Sequence, residues 1–409
     1  MAEQPEAVDG LVVEFEQSGK SDDRILSYSL NSHYTTPTDG WELVVYSEDD
    51  PIGLRRRWRP WQPVKLFVNG RQQLVGRIDK TQSVGASSLK VSGRDYLADL
   101  VDGTVDPKFQ VKKGQSIGAF LLELFKPYGI TTILSDGLDQ KLNRNVVTGK
   151  VPFRGAPGRN FRSLKTEDHK AQENEGVMEF ANRVVGHHGF TIQPTATREA
   201  VAVTEPNYLQ GALYRATRPG NIVSDPAASR DYTNVPTVTM ARGRAGEPGG
   251  KIASSKGEVP TFDQERSPSR ISNVLDVQRV ITSDDGLVVA RETRFDPNDR
   301  KVVAYGYDPP VYKPLFFRDK DAQNQEQIDH AVRRMLAEKL RETLTYPFSL
   351  HGHVDPVSGA VWSVDTIVWV EDSIEDVREP LWILERTLVN DGSGPKTDVV
   401  AIRQESYVF

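Results

Sequence analysis

The sequence predicts a mixed α+β chain, mainly β, with a small β barrel at each end and α+β material inserted between them. Three observations carry that prediction. Short apolar or alternating runs punctuated by turn residues fill the first hundred and the last sixty residues. Two amphipathic helix patterns, each followed by a strand pattern, lie between Ser116 and Gln193. Finally, 409 residues are enough for two to four domains at the usual ~100 to 200 residues each.

In the first hundred residues the runs are Leu11 to Phe15, Ile25 to Leu30, Trp41 to Tyr46, Val64 to Val68, Leu74 to Ile78 and Leu89 to Val91. Asn69-Gly70 between two of them signals a hairpin, because a type I′ turn needs positive φ at both central residues. Six short strands in so short a stretch suggest a small barrel or sandwich, so residues 1–95 form the first expected domain. Residues 96–205 are read as an α+β domain. Ser116 caps a helix whose apolar positions Ile117, Phe120, Leu121, Leu124, Phe125 and Tyr128 follow helical spacing to a stop at Gly129. A second helix runs from near Asn174 to Gly189 through Val177, Phe180, Ala181, Val184 and Val185, before a strand over Phe190 to Gln193.

Residues 206–345 are read as a mixed β domain. A stretch of Gly, Pro, Ser and charge, 242–270, is too poor in apolar residues for a core element and predicts a long mobile loop. Strand runs return at Asn273 to Ile281 and Leu287 to Thr293. From about Gln325 to Leu344 one apolar stripe predicts the longest helix, ended by Pro347. Residues 346–409 are β again, with strands over Phe348 to His353, Val361 to Val370, Leu381 to Asn390 and Thr397 to Arg403, and with hairpin turns at Asp355 to Gly359 and Asp391 to Gly394. A β module near each end raises the question of an internal duplication, although no identity between the two is visible in the letters.

Composition narrows the function. The hydrophobic set is 37% of the chain, slightly thin for a globular protein, which suits small β domains that complete their burial in an assembly. Lys and Arg number 51 against 57 Asp and Glu, a net charge of −6, so a dedicated nucleic-acid binder is disfavoured. With no cysteine there is no disulfide, no thiolate catalysis and no cysteine-ligated metal. No run approaches the ~18 to 20 apolar residues of a membrane span and no leader pattern opens the chain, so the expectation is a soluble protein made in the cytoplasm.

Several groups could carry chemistry, each with a plainer reading. His351 and His353, two apart on a strand, could share a metal, but the simpler reading is two polar positions on a wet face. His187 and His188 suit the negative end of a helix. Gly392 to Thr397 resembles a phosphate loop only loosely and reads as a turn. Glu371, Asp372, Glu375 and Asp376 could supply a carboxylate pair for glycoside hydrolysis, but a solvated hairpin tip is preferred. The unusual run Arg55, Arg56, Arg57, Trp58, Arg59, Pro60, Trp61 could grip phosphates and stack bases. A subunit contact is favoured, since Arg and Trp dominate buried interface centres. No nucleophile elbow occurs, so no catalytic residue, cofactor or metal is assigned.

Three segments resemble one family in order along the chain. Val91 to Val105, VSGRDYLADLVDGTV, resembles the junction motif of baseplate hub proteins of Mu-like contractile phage tails, with Gly93, Arg94 and Asp95 closing the first barrel and Asp99, Leu100, Val101 and Asp102 leading into the next domain. The two helices, followed by Pro219-Gly220-Asn221-Ile222, look like that family's α+β insert. The long helix followed by HGHVDPVSGAVWSVDTIVWVED and PLWILERTLVNDGSGPKTDVVAI is similar to its C-terminal barrel, with Val361-Trp362 and Asp365-Thr366 where Leu-Trp and Asn-Thr are usual. Ser363-Val364 stands where Pro is common. Late control proteins and type VI spike proteins share this tail hub architecture.

The resemblance implies a non-enzymatic homotrimer in the virion tail baseplate, assembled in the host cytoplasm. Its two tube-like barrels per chain would form a ring of six, matching a sixfold tail tube protein to a threefold central spike protein, with other baseplate proteins around it. DNA would pass through the lumen without specific binding, and the mild acidity fits such a lumen. Two other classes fit parts of the sequence: a tail-associated cell-wall or polysaccharide-degrading enzyme using Glu371 or Asp372, and a carbohydrate-binding adhesin stacking sugars on Trp58 and Trp61. Neither explains the order of the domains.

Overall fold

A computed structural model describes residues 10–135, 169–186, 190–204, 206, 211–231, 233, 238–242, 276–282, 288–294, 303–306, 314–318, 335, 339 and 343–403. The chain divides into two compact units. One combines residues 1–185, 190–228 and 346–404, and the other is built on 229–345.

In the first unit the N-terminal module contains β1 (Leu11–Phe15), β2 (Lys20–Asp22), β3 (Ile25–His33), β4 (Gly40–Tyr46), α1 (Pro51–Arg57), β5 (Pro63–Val68), β6 (Arg71–Ser83) and β7 (Ser88–Asp95). Alternation of apolar and polar residues drives these strands, and β1 and β7 bury every second side chain. The β5–β6 turn has φ 52° at Asn69 and 71° at Gly70, the geometry that Asn-Gly predicts. Strand order is β3-β4-β7-β6-β5-β1-β2. The turn of helix at α1 has no counterpart in the sequence reading. Asp50 caps it by accepting from the Gly53 N–H at 2.7 Å, with Pro51 in the first turn.

The insert follows: α2 (Ala98–Asp102), β8 (Gln110–Val111), α3 (Ile117–Phe125), β9 (Thr132–Ser135), β10 (His169–Lys170), α4 (Val177–Gly186), β11 (Thr191–Pro194) and β12 (Ala200–Thr204). Both expected helices are present. Ser116 Oγ accepts from the Ala119 N–H at 3.2 Å, and Gly129 closes the end at φ 81°. The two helices and the sheet β11-β12-β9 share one core, with Phe120, Phe125, Phe180 and Val184 fully buried. His187, His188 and Gly189 lie outside the described residues.

β13 (Tyr214–Arg218) returns to the first unit, pairing in parallel with β21 below. The second unit holds β14 (Ser229–Arg230), β15 (Val238–Arg242), β16 (Asp276–Thr282), β17 (Val288–Arg294), β18 (Val303–Gly306) and β19 (Pro314–Arg318), the last five forming a sheet ordered β16-β17-β18-β15-β19. Residues 243–270 of the expected mobile loop lie outside the described residues. So does most of the expected helix 325–344, of which Met335 and Lys339 are helical. That helix does not reach Leu344, which is the first residue of β20 (Leu344–His351). The apolar stripe runs straight into a strand alternation, Leu344, Tyr346, Phe348 and Leu350 all being buried. Pro347 sits inside the strand on its exposed side.

β20, β21 (Ile367–Asp372), β22 (Val377–Asn390) and β23 (Pro395–Arg403) make the C-terminal module. The expected strand from Val361 begins only at Ile367. Val361 forms an isolated bridge to Val354, and Asp365 at φ 58° turns the chain before Ile367. Sheet order β20-β23-β22-β3-β4 joins the two modules edge to edge.

The two modules share a backbone pattern that the letters do not show. β6 pairs with β5 up to Arg77 and with β7 from Gly76, with a register shift between Ile78 and Lys80. β22 pairs with β21 up to Trp382 and with β23 from Leu381, with a register shift between Ile383 and Glu385. The approach to each meander is also the same. Trp61, at φ 69°, donates its N–H to the Ile78 carbonyl at 2.7 Å, and Ile78 donates to Gln62 at 3.0 Å. Asp365 donates to Ile383 at 3.0 Å, and Ile383 to Thr366 at 2.8 Å. The letters differ because each site has its own packing partners; the backbone pattern is held in common.

Candidate functional site

Two clusters organise the first unit. The first gathers the two groups that the sequence singled out separately. Gly93 lies where β7 crosses β6 and β4: a Cβ there would stand 2.0 Å from the Arg77 carbonyl and 2.5 Å from the Trp41 ring. Arg94 forms a fork on Asp102 at 2.9 and 2.6 Å and donates Nε to Asp79 at 2.8 Å. The bonds to Asp102 and then Asp79 raise the Arg94 pKa above its ordinary value, and the Arg94 fork holds the Asp102 carboxyl below its own. Asp95, buried, accepts from Thr38 Oγ1 at 2.8 Å, the Leu97 N–H at 2.9 Å and the Asp39 N–H at 2.9 Å, fixing the chain's exit from the N-terminal module. Asp99 takes Arg77, Leu100 enters the insert's core, and Val101 is 38% exposed.

Arg77 is the residue where these groups converge. It bonds Asp79 at 3.0 Å and Asp99, and its guanidinium lies 4.2 Å from the centroid of the Trp61 ring. The sequence reading did not include it, since its partners are spread over the chain from position 61 to 102.

The Arg-Trp run does not act as one surface. Trp58, expected at a contact or a sugar platform, is 1% exposed. Its ring meets Phe15 edge-on at 4.9 Å and its Nε1 donates to Asp22 at 3.4 Å. The cause is α1: its turn directs Leu54 and Trp58, four apart, into the core, while Arg56 and Arg59 stay exposed and Arg55 and Arg57 are half-buried. Arg55 Nη1 donates to the Pro51 carbonyl at 2.9 Å, and Arg57 stands 3.9 Å from Asp22. Trp61, past the helix, is 73% exposed.

The second cluster is the joint between the modules. β3 lies against β22 from His33–Glu385 to Tyr28–Asn390. Buried Arg386 donates Nη1 to Gln73 Oε1 and to the Trp362 carbonyl, both at 2.9 Å, and Nη2 to Ser32 Oγ at 2.8 Å. Ser32 Oγ in turn lies 3.1 Å from Asp39 Oδ2. Two strands, β3 and β6, and the Trp362 backbone, from opposite ends of the sequence, thus converge on one guanidinium. Tyr34, just past β3, sets its ring edge-on to Trp382 at 4.9 Å and donates its N–H to the Leu384 carbonyl.

Two plain readings are corrected here. His353 is not on a wet face: it is fully buried, 2.7 Å from the Tyr28 hydroxyl and 3.2 Å from Thr397 Oγ1, while His351 is exposed. The two alternate in burial because the strand ends at His351 and the chain turns at Gly352, φ 71°. Among the described residues no cluster of three His, Asp or Glu could hold a metal ion. Nor is Asp372 at a solvated tip. It is 2% exposed, accepting from Tyr346 Oη at 2.6 Å and from the N–H of Ile374 and Glu375. Burial alone would raise its pKa, but the Tyr346 hydroxyl, these two N–H groups and Arg218 hold it below the ordinary value. Glu371 pairs with Arg215 at 2.7 Å, and that bond lowers its pKa. Neither carboxyl has the raised pKa of a general acid.

No family model matches this chain, and no curated protein matches its sequence. Its fold matches that of the 43 kDa tail protein of prophage MuSo2 from Shewanella oneidensis with a TM-score of 0.64 at 15% identity, over 97% of this chain and 99% of that one. A tail protein from Neisseria meningitidis MC58 matches with the same TM-score at 14% identity, over 97% of each chain. The fold is therefore that of phage tail proteins from end to end, mainly β with an α+β insert, as the resemblance implied.

Proposed function

We propose that the chain is a structural component of a contractile-tail baseplate, the central hub that joins a sixfold tail tube to a threefold spike. The observation that carries this reading is the duplicated meander: one chain holds two β modules of the same register pattern, already joined edge to edge by β3 and β22. Three copies then present six similar modules around one axis, so the side facing a sixfold tube and the side facing a threefold spike are each met without distortion. The shared fold with phage tail proteins supports a place in the virion tail, and the reading has the chain assembled there in the host cytoplasm. Tail tube, spike and other baseplate proteins are the partners. DNA would pass the lumen without being gripped, in keeping with a net charge of −6.

The role is non-enzymatic. The two carboxylates of the degradative reading are held ionised by Arg215 and by Tyr346 with backbone N–H groups, and the paired tryptophan platform of the adhesin reading is lost because Trp58 is in the core. Within this reading Arg94 and Asp102 brace the junction between module and insert, and Arg56, Arg59 and Trp61 remain outward for a contact. The test is the mass of the full chain in solution: three copies of 45.7 kDa, about 137 kDa by light scattering, is expected. A monomer at every concentration up to the millimolar range would overturn the hub reading.

A further inference from the structure

The two meanders share a register shift at matching places, Ile78/Lys80 and Ile383/Glu385, but differ in what lies on their outer edge. The second half of β22, Glu385–Asn390, carries β3 on the same edge that β21 occupies earlier along the strand. There Arg386 and Leu388 are buried. The matching half of β6, past its own register shift, pairs only with β7; on the edge that β5 occupies earlier, no strand follows among the described residues. Lys80, Gln82 and Ser83 are accordingly exposed. An open run of strand N–H and C=O groups is a template for another strand.

A second difference falls at the same place. In the C-terminal module the turn residue Asp365 is buried, accepting from Trp382 Nε1 at 3.0 Å, and Trp382 is covered edge-on by Tyr34, the residue that leaves β3. In the N-terminal module the turn residue is Trp61, at matching φ, over Arg77, which stands where Trp382 stands. There no described residue covers the site, and Trp61 is 73% exposed. An open strand edge and a bare tryptophan coincide where the duplicate has a strand and an aromatic ring.

The sheet also holds the counterpart of β3. In the N-terminal module the order is β5-β6-β7-β4-β3, and in the C-terminal module it is β21-β22-β23-β20, followed by the segment Asn221–Arg230 on the outer edge of β20. That segment is antiparallel to β20, through Ile222 to Leu350 and through Ser229 and Arg230 to Thr345 and Leu344. We infer that the Lys80–Ser83 edge of β6, with Trp61 at its start, receives the Asn221–Arg230 segment of a second copy of this chain, repeating between chains the joint that β3 and β22 make within one. The inference rests on the hub reading for the number of copies, but it names which edges meet. Repeated from copy to copy, each joint leaves the next β6 edge to be filled, so three chains close with none open.

The chain has no cysteine, so an introduced pair supplies the only thiols. Gln82→Cys is combined in turn with Ala227→Cys, Ala228→Cys and Ser229→Cys in the full chain, oxidised, and run without reductant. At least one pair is expected to give linked dimers and trimers that reduction abolishes, whereas Gln82→Cys alone gives none. A chain that has the mass of a trimer yet is linked by none of the three pairs overturns the joint and leaves the hub reading standing. A strictly monomeric chain overturns both. As a second measure, Trp61→Ala should raise the trimer dissociation constant about tenfold or more, the effect of losing a buried interface tryptophan; an unchanged constant argues against the joint.

Discussion

Arg386→Met tests how the two β modules are held together in one chain. The substitution keeps an unbranched side chain of similar length and removes every donor. Two acceptors lose a charged partner, Gln73 Oε1 and the Trp362 carbonyl, and Ser32 loses one of its bonds. Each buried acceptor left without a partner costs about 1–3 kcal/mol, so the two give about 2–6 kcal/mol. Burying a guanidinium also carries a desolvation penalty of its own, which the variant recovers in part. The net expectation is a loss of about 2–4 kcal/mol. All six tryptophans, at positions 41, 58, 61, 362, 369 and 382, lie in the unit that contains the joint, so intrinsic fluorescence during urea unfolding reports on it directly. At a slope of ~2–3 kcal/mol per molar urea, the midpoint should fall by about 1 M with an unchanged slope. A variant as stable as the parent, or more stable, would refute the argument and mean that hydrophobic contact along β3 and β22 suffices without the guanidinium.

Gly93→Ala places a Cβ against the Arg77 carbonyl and the Trp41 ring, neither of which can swing away, and should cost about 3 kcal/mol or more, read as a thermal midpoint lower by roughly 5–10 °C. Trp58→Ala should destabilise the chain by about 3–5 kcal/mol in chemical unfolding, whereas Trp61→Ala should cost the folded chain within about 1 kcal/mol, since only its stacking on Arg77 is lost. Asp372 has a depressed pKa, so its contribution is complete above its ordinary value of 3.8 and is lost as pH falls through the lower folded value. Tyr346→Phe removes a bond that favours the ionised form. Its deficit against the parent in urea midpoint should therefore be present at pH 7 and shrink near pH 3; a deficit that is constant with pH would contradict the assignment.

Local signals were strong enough to read most of the elements. Asn69-Gly70, the Ser116 cap and the Gly129 stop each depend on a few neighbouring residues, and all three appear as expected. Misreadings arose where burial is decided from far away in sequence. Trp58 reads as a surface tryptophan because four arginines surround it, yet the short helix α1 and Phe15 place it in the core. His353 and Asp372 read as solvated because their sequence neighbours look polar there, while the groups that bury them, Tyr28 and Tyr346, come from elsewhere. Leu344 continues a helical stripe and a strand alternation equally well, and pairing with Arg230 settles it as strand. Arg77 and Arg386, on which the two clusters turn, carry no local mark at all; Arg386 reaches partners more than 300 residues away. The duplication is invisible in the letters for a related reason, since register and positive-φ turns can persist while side chains such as Trp61 and Asp365 diverge.

On the hub reading, two like modules per chain become six positions in a threefold assembly. A reconstruction of the assembled full chain by electron cryomicroscopy tests it most directly. The expected result is a closed ring of three chains in which N-terminal and C-terminal modules alternate around an open lumen, with strand pairing continuous at all six joints. A ring in which N-terminal modules meet only N-terminal modules, or one of six chains, would contradict it.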